Sequence, residues 1–191
     1  ASILIGSAGL DTITGGAQGD TLTGLAGNDI ISGLAGADII DGGAGNDIIT
    51  GGTGVDIITV NSGTDAVTLI ATEADRVNVG DGATANITGG GAGQIFVTAA
   101  GGTAVVAVAA DYIATSTTAS VGTGTTTFNS ANDVDVNLTS ATAADAATDG
   151  FVITSAGTGG AILIGSASLD TITGSGGADT ITGLAGNDII D

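Results

Sequence analysis

The feature that most constrains this chain is a repeat of nine residues. From Gly6 the sequence reads GSAGLDTIT, GGAQGDTLT, GLAGNDIIS, GLAGADIID, GGAGNDIIT and GGTGVDIIT, and a degenerate seventh unit, VNSGTDAVT, ends at Thr68. The same phase resumes at Gly165 with GSASLDTIT, GSGGADTIT and GLAGNDIID. The sixth position is aspartate in all ten units: Asp11, Asp20, Asp29, Asp38, Asp47, Asp56, Asp65, Asp170, Asp179 and Asp188. The eighth is Ile, Leu or Val in all ten, and half of the 20 acidic residues fall on one phase of the period. A unit this short cannot bury an apolar face alone. A fixed period therefore points to stacked copies that share one core.

Within the unit, glycines at the first, second and fourth positions open a loop whose backbone can enter positive φ and turn carbonyls inward. The aspartate closes the loop, and a short strand follows with its middle side chain (Ile13, Leu22, Ile31, Ile40, Ile49, Ile58) on one face. With two units per turn, a thin aliphatic core lies between two parallel sheets. Asp11, Asp29, Asp47 and Asp65 then line one edge, and Asp20, Asp38 and Asp56 the other. Neighbours on an edge are one strand spacing apart, ~4.8 Å. Two carboxylates at that distance repel by roughly 3 kcal/mol at an effective dielectric of about 20. One buried Ile or Leu recovers only about 1.5–3 kcal/mol before chain entropy is counted. The roll therefore requires a cation. Oxygen ligands, carbonyls among them, in sets of about six to eight select Ca2+ over Mg2+, and a chain without His or Cys offers nothing to a softer metal.

Composition narrows the function classes. The 191 residues carry a formal charge of −19, with Arg76 the single base, yet mean hydropathy is +0.51. Without His, Cys or Lys there is no imidazole base, thiol nucleophile, Schiff-base lysine or zinc cluster. One Arg cannot hold a phosphate backbone, so nucleic acid is not an expected partner. No apolar run approaches the roughly 18 residues of a membrane span. About a quarter of the chain is Leu, Ile, Val or Phe, too apolar for an acidic disordered tail. With aromatics at 2%, a sugar-cleaving cleft with stacking platforms is not in sight, and a non-enzymatic role is expected. Pairing each repeat aspartate with the one 18 residues on gives Asp11/Asp29, Asp20/Asp38, Asp29/Asp47, Asp38/Asp56, Asp47/Asp65 and Asp170/Asp188. About six Ca2+ at those steps would bring −19 to −7.

The run GGAGNDIIT resembles the calcium-binding GGxGxDxUx nonapeptide of RTX (repeats-in-toxin) proteins. The segments Gly6–Thr68 and Gly165–Asp191 carry that resemblance, about half of the chain. It implies an all-β fold, a right-handed parallel β-roll with Ca2+ between successive loops. The implied ligands are the ten sixth-position aspartates with neighbouring loop carbonyls. It also implies export of an unfolded chain by one-step (type I) bacterial secretion. Gln18 and Ser168 replace the fourth glycine and VNSGTDAVT lacks the opening pair, which weakens sites there, Asp65 most of all. The Ala/Thr/Gly-rich composition further resembles Gram-negative surface-layer (S-layer) proteins with RTX repeats. The expected function is a calcium-dependent extracellular structural segment that folds on Ca2+ and self-assembles in a bacterial surface layer or filament. Its partners would be copies of itself, and cell-surface glycan or lipopolysaccharide reached through regions outside this chain. Two alternatives stand beside it: the folding and secretion module of an exported enzyme or toxin, and the extender of a calcium-dependent adhesin.

The repeats divide the chain into a roll at 1–68, a β-rich Ala/Thr/Gly insert at 69–160 and a second roll at 161–191. LIATEADRVN reads as a slipped repeat with Asp75 one place late, so the first roll is predicted to end there. Alternation in the insert predicts strands at Arg76–Val79, Ala85–Thr88, Gln94–Ala99, Thr103–Ala109, Thr125–Phe128, Asp133–Thr139 and Phe151–Thr154. Val134, Val136 and Leu138 would face a core, with Asp133 and Asp135 turned to solvent. The insert fits either a small sandwich or a metal-free continuation of the solenoid. GGGAGQ at 89–94 lacks the Lys and the strand–helix frame of a phosphate loop and reads as a turn. Asp41 and Asp191, at the ninth position, would face water. At the seventh position Ile30 and Ile48 on one sheet, and Ile39 and Ile57 on the other, point outward as aliphatic stripes. Finally, ILIGSAGLDTITG recurs 159 residues later with 12 of 13 positions matched, and the sequence stops without a polar cap. The expectation is a segment of a longer polypeptide.

Overall fold

Each nonapeptide ends in a β-branched triplet such as Thr-Ile-Thr or Ile-Ile-Thr, which favours an extended backbone, and each such triplet is a strand. The computed structural model describes residues 1–70, 72–89, 94–98, 102–108, 112–113, 119–121, 125–131, 134–143 and 150–191. The first eight strands are β1 (Ile3–Ile5), β2 (Thr12–Thr14), β3 (Thr21–Thr23), β4 (Ile30–Ala35), β5 (Ile39–Asp41), β6 (Ile48–Thr53), β7 (Ile57–Val60) and β8 (Thr64–Thr68). Next come β9 (Arg76–Val79), β10 (Thr84–Thr88), β11 (Ile95–Thr98), β12 (Thr103–Val108), β13 (Tyr112–Ile113) and β14 (Ala119–Val121). β15 (Thr125–Ser130), β16 (Val136–Asn137), β17 (Thr142–Ala143) and β18 (Phe151–Ser155) follow. The chain closes with β19 (Ile162–Ile164), β20 (Thr171–Thr173), β21 (Thr180–Thr182) and β22 (Ile189–Ile190).

Every strand pairs in parallel, so the fold is the all-β solenoid that the period implies. One sheet of eight strands runs β1-β3-β5-β7-β9-β11-β14-β17, and one of ten runs β2-β4-β6-β8-β10-β12-β15-β18-β20-β22. In the first roll the register advances by two nonapeptides, so Ile13, Ile31, Ile49 and Val67 stack on one sheet. Leu22, Ile40 and Ile58 stack on the other. These eighth-position side chains are buried and form the thin core between the sheets. In the last units Ile181 is only half-buried and Ile190 is 53% exposed.

The middle of the chain continues the stack. β7 pairs with β9 and β8 with β10, so LIATEADRVN lengthens a turn and does not end the roll. The register offset grows from Thr64↔Thr84 to Thr103↔Thr125 and Thr126↔Phe151, then shrinks to Val152↔Thr171 and Thr171↔Ile189. The extra residues build a third sheet, β13-β16-β19-β21. Two consecutive turns thus place one strand in each of three sheets, and the third sheet then serves as the second face of the C-terminal roll. Strands at 76–79, 84–88, 95–98, 103–108, 125–130 and 151–155 lie where alternation predicts them. The strand expected over 133–139 contracts to Val136–Asn137, although Val134, Val136 and Leu138 are buried as expected. Asp133 and residues 90–93 of GGGAGQ lie outside the described residues. Asp135 is half-buried and accepts the Ile162 N–H at 2.7 Å.

The aromatics all gather here. Phe128 packs against Phe96, Tyr112 and Phe151, with ring centroids 6.1, 5.0 and 5.9 Å apart, and all four are buried. Among the described residues there is no helix long and apolar enough to cross a membrane.

Candidate metal centre

The repeat aspartates form columns along the two edges of the roll. On one edge Asp29 Oδ1 accepts the Asp11 N–H at 2.8 Å, Asp47 that of Asp29 at 2.8 Å, and Asp65 that of Asp47 at 2.8 Å. On the other edge Asp38 accepts from Asp20 at 2.7 Å and Asp56 from Asp38 at 2.8 Å. That column gains a member absent from the nonapeptide reading: Asp75 Oδ1 accepts the Asp56 N–H at 2.9 Å across 19 residues. The one-residue slip that places it late in the sequence does not take it out of the column. In the C-terminal roll Asp188 accepts from Asp170 at 3.0 Å, Asp179 from Ala161 at 2.8 Å and Asp170 from Phe151 at 2.9 Å. The alternation of edges expected from the period is the observed one.

In every column member but Asp11, Oδ1 is spent on the backbone of the preceding turn, and Oδ2 distinguishes two kinds of loop. In the first kind, Oδ2 of Asp29, Asp38, Asp47, Asp56, Asp65 and Asp75 is buried without a hydrogen-bond partner, and each of these residues is at most 1% exposed. A buried acceptor left unpaired costs about 1–3 kcal/mol, more when charged. In the second kind, the loop closes on its own carboxylate. Asp11 Oδ2 accepts Ser7 N–H at 2.6 Å and Ser7 Oγ–H at 2.8 Å. Asp20 Oδ2 accepts Gly16 N–H at 2.6 Å, and Asp170 Oδ2 accepts Ser166 N–H at 2.6 Å. Asp179 Oδ2 accepts Ser175 N–H and, at 3.2 Å, Ser175 Oγ–H.

The second residue of the unit sets most of the open loops apart from the closed ones. In four of the open loops it has left-handed backbone: Leu25 (φ 78°), Leu34 (φ 73°), Gly43 (φ 93°) and Gly52 (φ 105°). Leu184 (φ 73°) puts the last unit in the same class, and Asp188 there is half-buried. The first-position glycine serves a different purpose from the one expected, since none of these has positive φ. It supplies room. A Cβ on Gly24 would sit 2.4 Å from Asp29 Oδ2 and 2.4 Å from the Gly42 carbonyl oxygen of the next turn. On Gly33 the corresponding distances, to Asp38 Oδ2 and the Gly51 oxygen, are 2.3 and 2.4 Å. A carboxylate oxygen and a carbonyl oxygen therefore converge beside each of these glycines. Among the described residues no three acidic side chains converge on one point. Coordination there would combine one or two carboxylates with backbone carbonyls, a donor set of oxygen alone that fits a hard cation such as Ca2+.

Electrostatics follow burial rather than loop type alone, since Asp170 of a closed loop is raised with the open ones. Burial, opposed by the backbone N–H bonds and reinforced by the stacked carboxylates, raises Asp38 and Asp47 above the ordinary value. The same causes push Asp56 and Asp65 up to about 6. Burial also raises Asp75 and Asp170. Asp20 is lowered, chiefly by the Ser2 N–H, and Asp179 by the N–H groups of Ala161 and Ser175. Of the ninth-position acids, Asp41 accepts from Asn61 Nδ2 at 2.7 Å and is half-buried, whereas Asp191 is exposed. Arg76 donates through Nε to Asn78 Oδ1 at 2.8 Å.

No curated protein and no solved structure matches the chain. A family model does: the RTX calcium-binding nonapeptide repeat matches residues 2–31, 32–67 and 155–190, just over half of the sequence. Those segments hold both columns of nonapeptide aspartates, and on that match the chain belongs to the RTX calcium-binding nonapeptide repeat family.

Proposed function

We propose that this chain is a non-enzymatic extracellular segment that is secreted unfolded, folds on binding Ca2+, and self-assembles in a bacterial surface layer or filament. The observation that carries the calcium-driven part is the set of buried, unpartnered Oδ2 atoms on Asp29, Asp38, Asp47, Asp56 and Asp65. Inside the cell, where Ca2+ is scarce, carboxylates stacked at strand spacing keep the chain open; outside, Ca2+ neutralises them and the sheets close. The ten repeat aspartates, Asp11 through Asp188, are the proposed ligands, with about six ions bound. The open loops at Asp29, Asp38, Asp47 and Asp56 are the stronger positions. The loops closed by Ser7, Gly16, Ser166 and Ser175 are the weaker ones, since Ca2+ must displace a hydrogen bond there.

Assembly draws its support from the outward rows of the first roll. Ile30 and Ile48 stand 45% and 54% exposed on one sheet, and Ile39 and Ile57 stand 53% and 40% exposed on the other. Apolar rows on both faces suit lateral packing against further copies. Circular dichroism and light scattering during a Ca2+ titration with chelator reversal test both parts. The expected result is a coil-rich spectrum without Ca2+, β signal appearing at ~10⁻⁴–10⁻³ M Ca2+, scattering that rises with it, and little response to Mg2+. A fully β-structured chain without Ca2+ defeats the folding mechanism, and a monodisperse folded monomer at high concentration defeats assembly.

A further inference from the structure

The dipeptide Asp-Gly occurs at 41–42, 81–82 and 149–150, and the fold treats the first two in opposite ways. Asp149 lies outside the described residues. At 41–42, at the end of β5, the Gly42 N–H donates to the Thr59 carbonyl of the next turn at 2.9 Å. Asp41 Oδ1 accepts from Asn61 Nδ2 at 2.7 Å and from the Gly43 N–H at 3.1 Å. At 81–82 the pair forms the tip of the turn that joins β9 to β10. The Ala83 N–H donates across it to the Gly80 carbonyl at 3.2 Å, and Gly82 takes the left-handed backbone (φ 72°) that such a turn requires at its third residue. Both residues of the tip are exposed, and a Cβ on Gly82 would find nothing within 4 Å. Among the described residues neither the Asp81 carboxylate nor the Gly82 N–H has a hydrogen-bond partner.

We propose that Asp81–Gly82 is a site of spontaneous backbone isomerisation, where aspartate converts to isoaspartate with water as the only reagent. The Gly82 amide nitrogen attacks Asp81 Cγ and a C–N bond forms. A carboxyl oxygen leaves as water, taking the amide proton and one proton from solvent, and a five-membered succinimide ring remains. Water then adds to one of the two ring carbonyls and cleaves a C–N bond, returning a proton to solvent. Cleavage at Cγ restores aspartate. Cleavage at the main-chain carbonyl of Asp81 leaves Gly82 bonded through Cγ, so the backbone gains a methylene and the mass is unchanged. Three features favour the step here: an amide without a partner, no Cβ on Gly82 to crowd the ring, and a tip open to water. The turn can bulge outward while its ends stay tied, the Gly80 N–H to the Val60 carbonyl at 2.8 Å and the Thr84 N–H to the Gly63 carbonyl at 2.9 Å. The same closure at 41–42 must first break the bonds to Thr59 and Asn61, which slows it about tenfold or more. The inference does not depend on the calcium reading.

Prolonged incubation of the full chain in heavy-oxygen water with CaCl2 tests it, read by peptide mapping and by an isoaspartyl methyltransferase as probe. Each ring opening adds one heavy oxygen. Label is expected to accumulate in the peptide holding Asp81 at least about tenfold faster than in the one holding Asp41. Asp81→Glu, which keeps the charge but demands a larger ring, is expected to lose the label at that position. In guanidinium the two sites are expected to react alike, because the bonds that protect Asp41 are gone. Equal or faster labelling at Asp41 in the folded chain overturns the proposal. So does the absence of label at Asp81, or a difference between the sites that persists in guanidinium.

Discussion

In the first roll a turn of two nonapeptides encloses one aliphatic side chain from each sheet, such as Ile49 and Ile40, and ends in a buried aspartate at each edge. In the middle, longer turns, two of them on three sheets, stack Phe96, Tyr112, Phe128 and Phe151. Among the described residues, no acid between Arg76 and Leu169 is buried. The parallel stacking is common to both; the source of cohesion differs. An aromatic ring buries about 150–250 Å², so the middle carries its own hydrophobic closure. The roll buries little per turn and places repelling charges at its edges, so under the proposed function its closure is conditional on a cation.

The strongest test of that contrast is regional. On chelation, amide hydrogen exchange should accelerate by orders of magnitude across β2–β7, while amides of β12, β15 and β18 keep their protection. Simultaneous loss in both regions would break the comparison and make the aromatic core dependent on the rolls. A reciprocal experiment starts from the rings. Phe128→Ala removes the side chain that touches the other three aromatics, at a cost of about 3–5 kcal/mol. Urea unfolding followed by Tyr112 emission should report that loss, with the Ca2+ midpoint of the rolls essentially unmoved.

Within the roll, Asp47→Ala removes a carboxylate that serves the steps above and below it, so titration calorimetry should show two sites damaged. Asp11→Ala, in the loop closed by Ser7, should damage one at most. Equal losses would remove the column register, in which Asp11 serves one step and Asp47 two.

Acid offers a fourth probe. Asp56 and Asp65 are raised from 3.8 to about 6 by burial. Between those values the folded chain binds more protons than the unfolded one, so stability without Ca2+ falls as pH rises through about 4 to 6. The ion-free roll should therefore show more β signal at pH 4.5 than at pH 7.5. Saturating Ca2+ should erase the difference, because the ion replaces the proton. The smallest effect concerns Leu34, held at φ 73°. Leu34→Gly relieves that strain and should stabilise the calcium-loaded roll by about 1 kcal/mol, measured as a shift in urea midpoint.

The local unit was legible from its period. Nine residues ending in a β-branched triplet predict the strands, the buried eighth position, the alternating edges and the column of aspartates, because all of these depend on neighbours inside one repeat. Asp75 was legible only as the aspartate of a slipped repeat: a single inserted residue breaks the phase and reads as the end of the roll, whereas its bond from Asp56 N–H keeps it in the column. Strands β13, β14 and β17 were missed because two or three residues carry no alternation to read; parallel partners hold them extended. Ser7, Ser166 and Ser175 did carry a signal, since a serine four residues before a carboxylate is poised to donate to it.

What the sequence by itself determined is the repeating unit, its demand for a hard cation and the family it belongs to. The tertiary structure decided which carboxylate oxygens remain unpartnered, where a second face gives way to a third, and that the middle joins the stack. The physical reason is distance along the chain. A nonapeptide sets its own backbone, but its carboxylate meets groups one full turn away, and the length of that turn is fixed by packing, aliphatic in the rolls and aromatic between them.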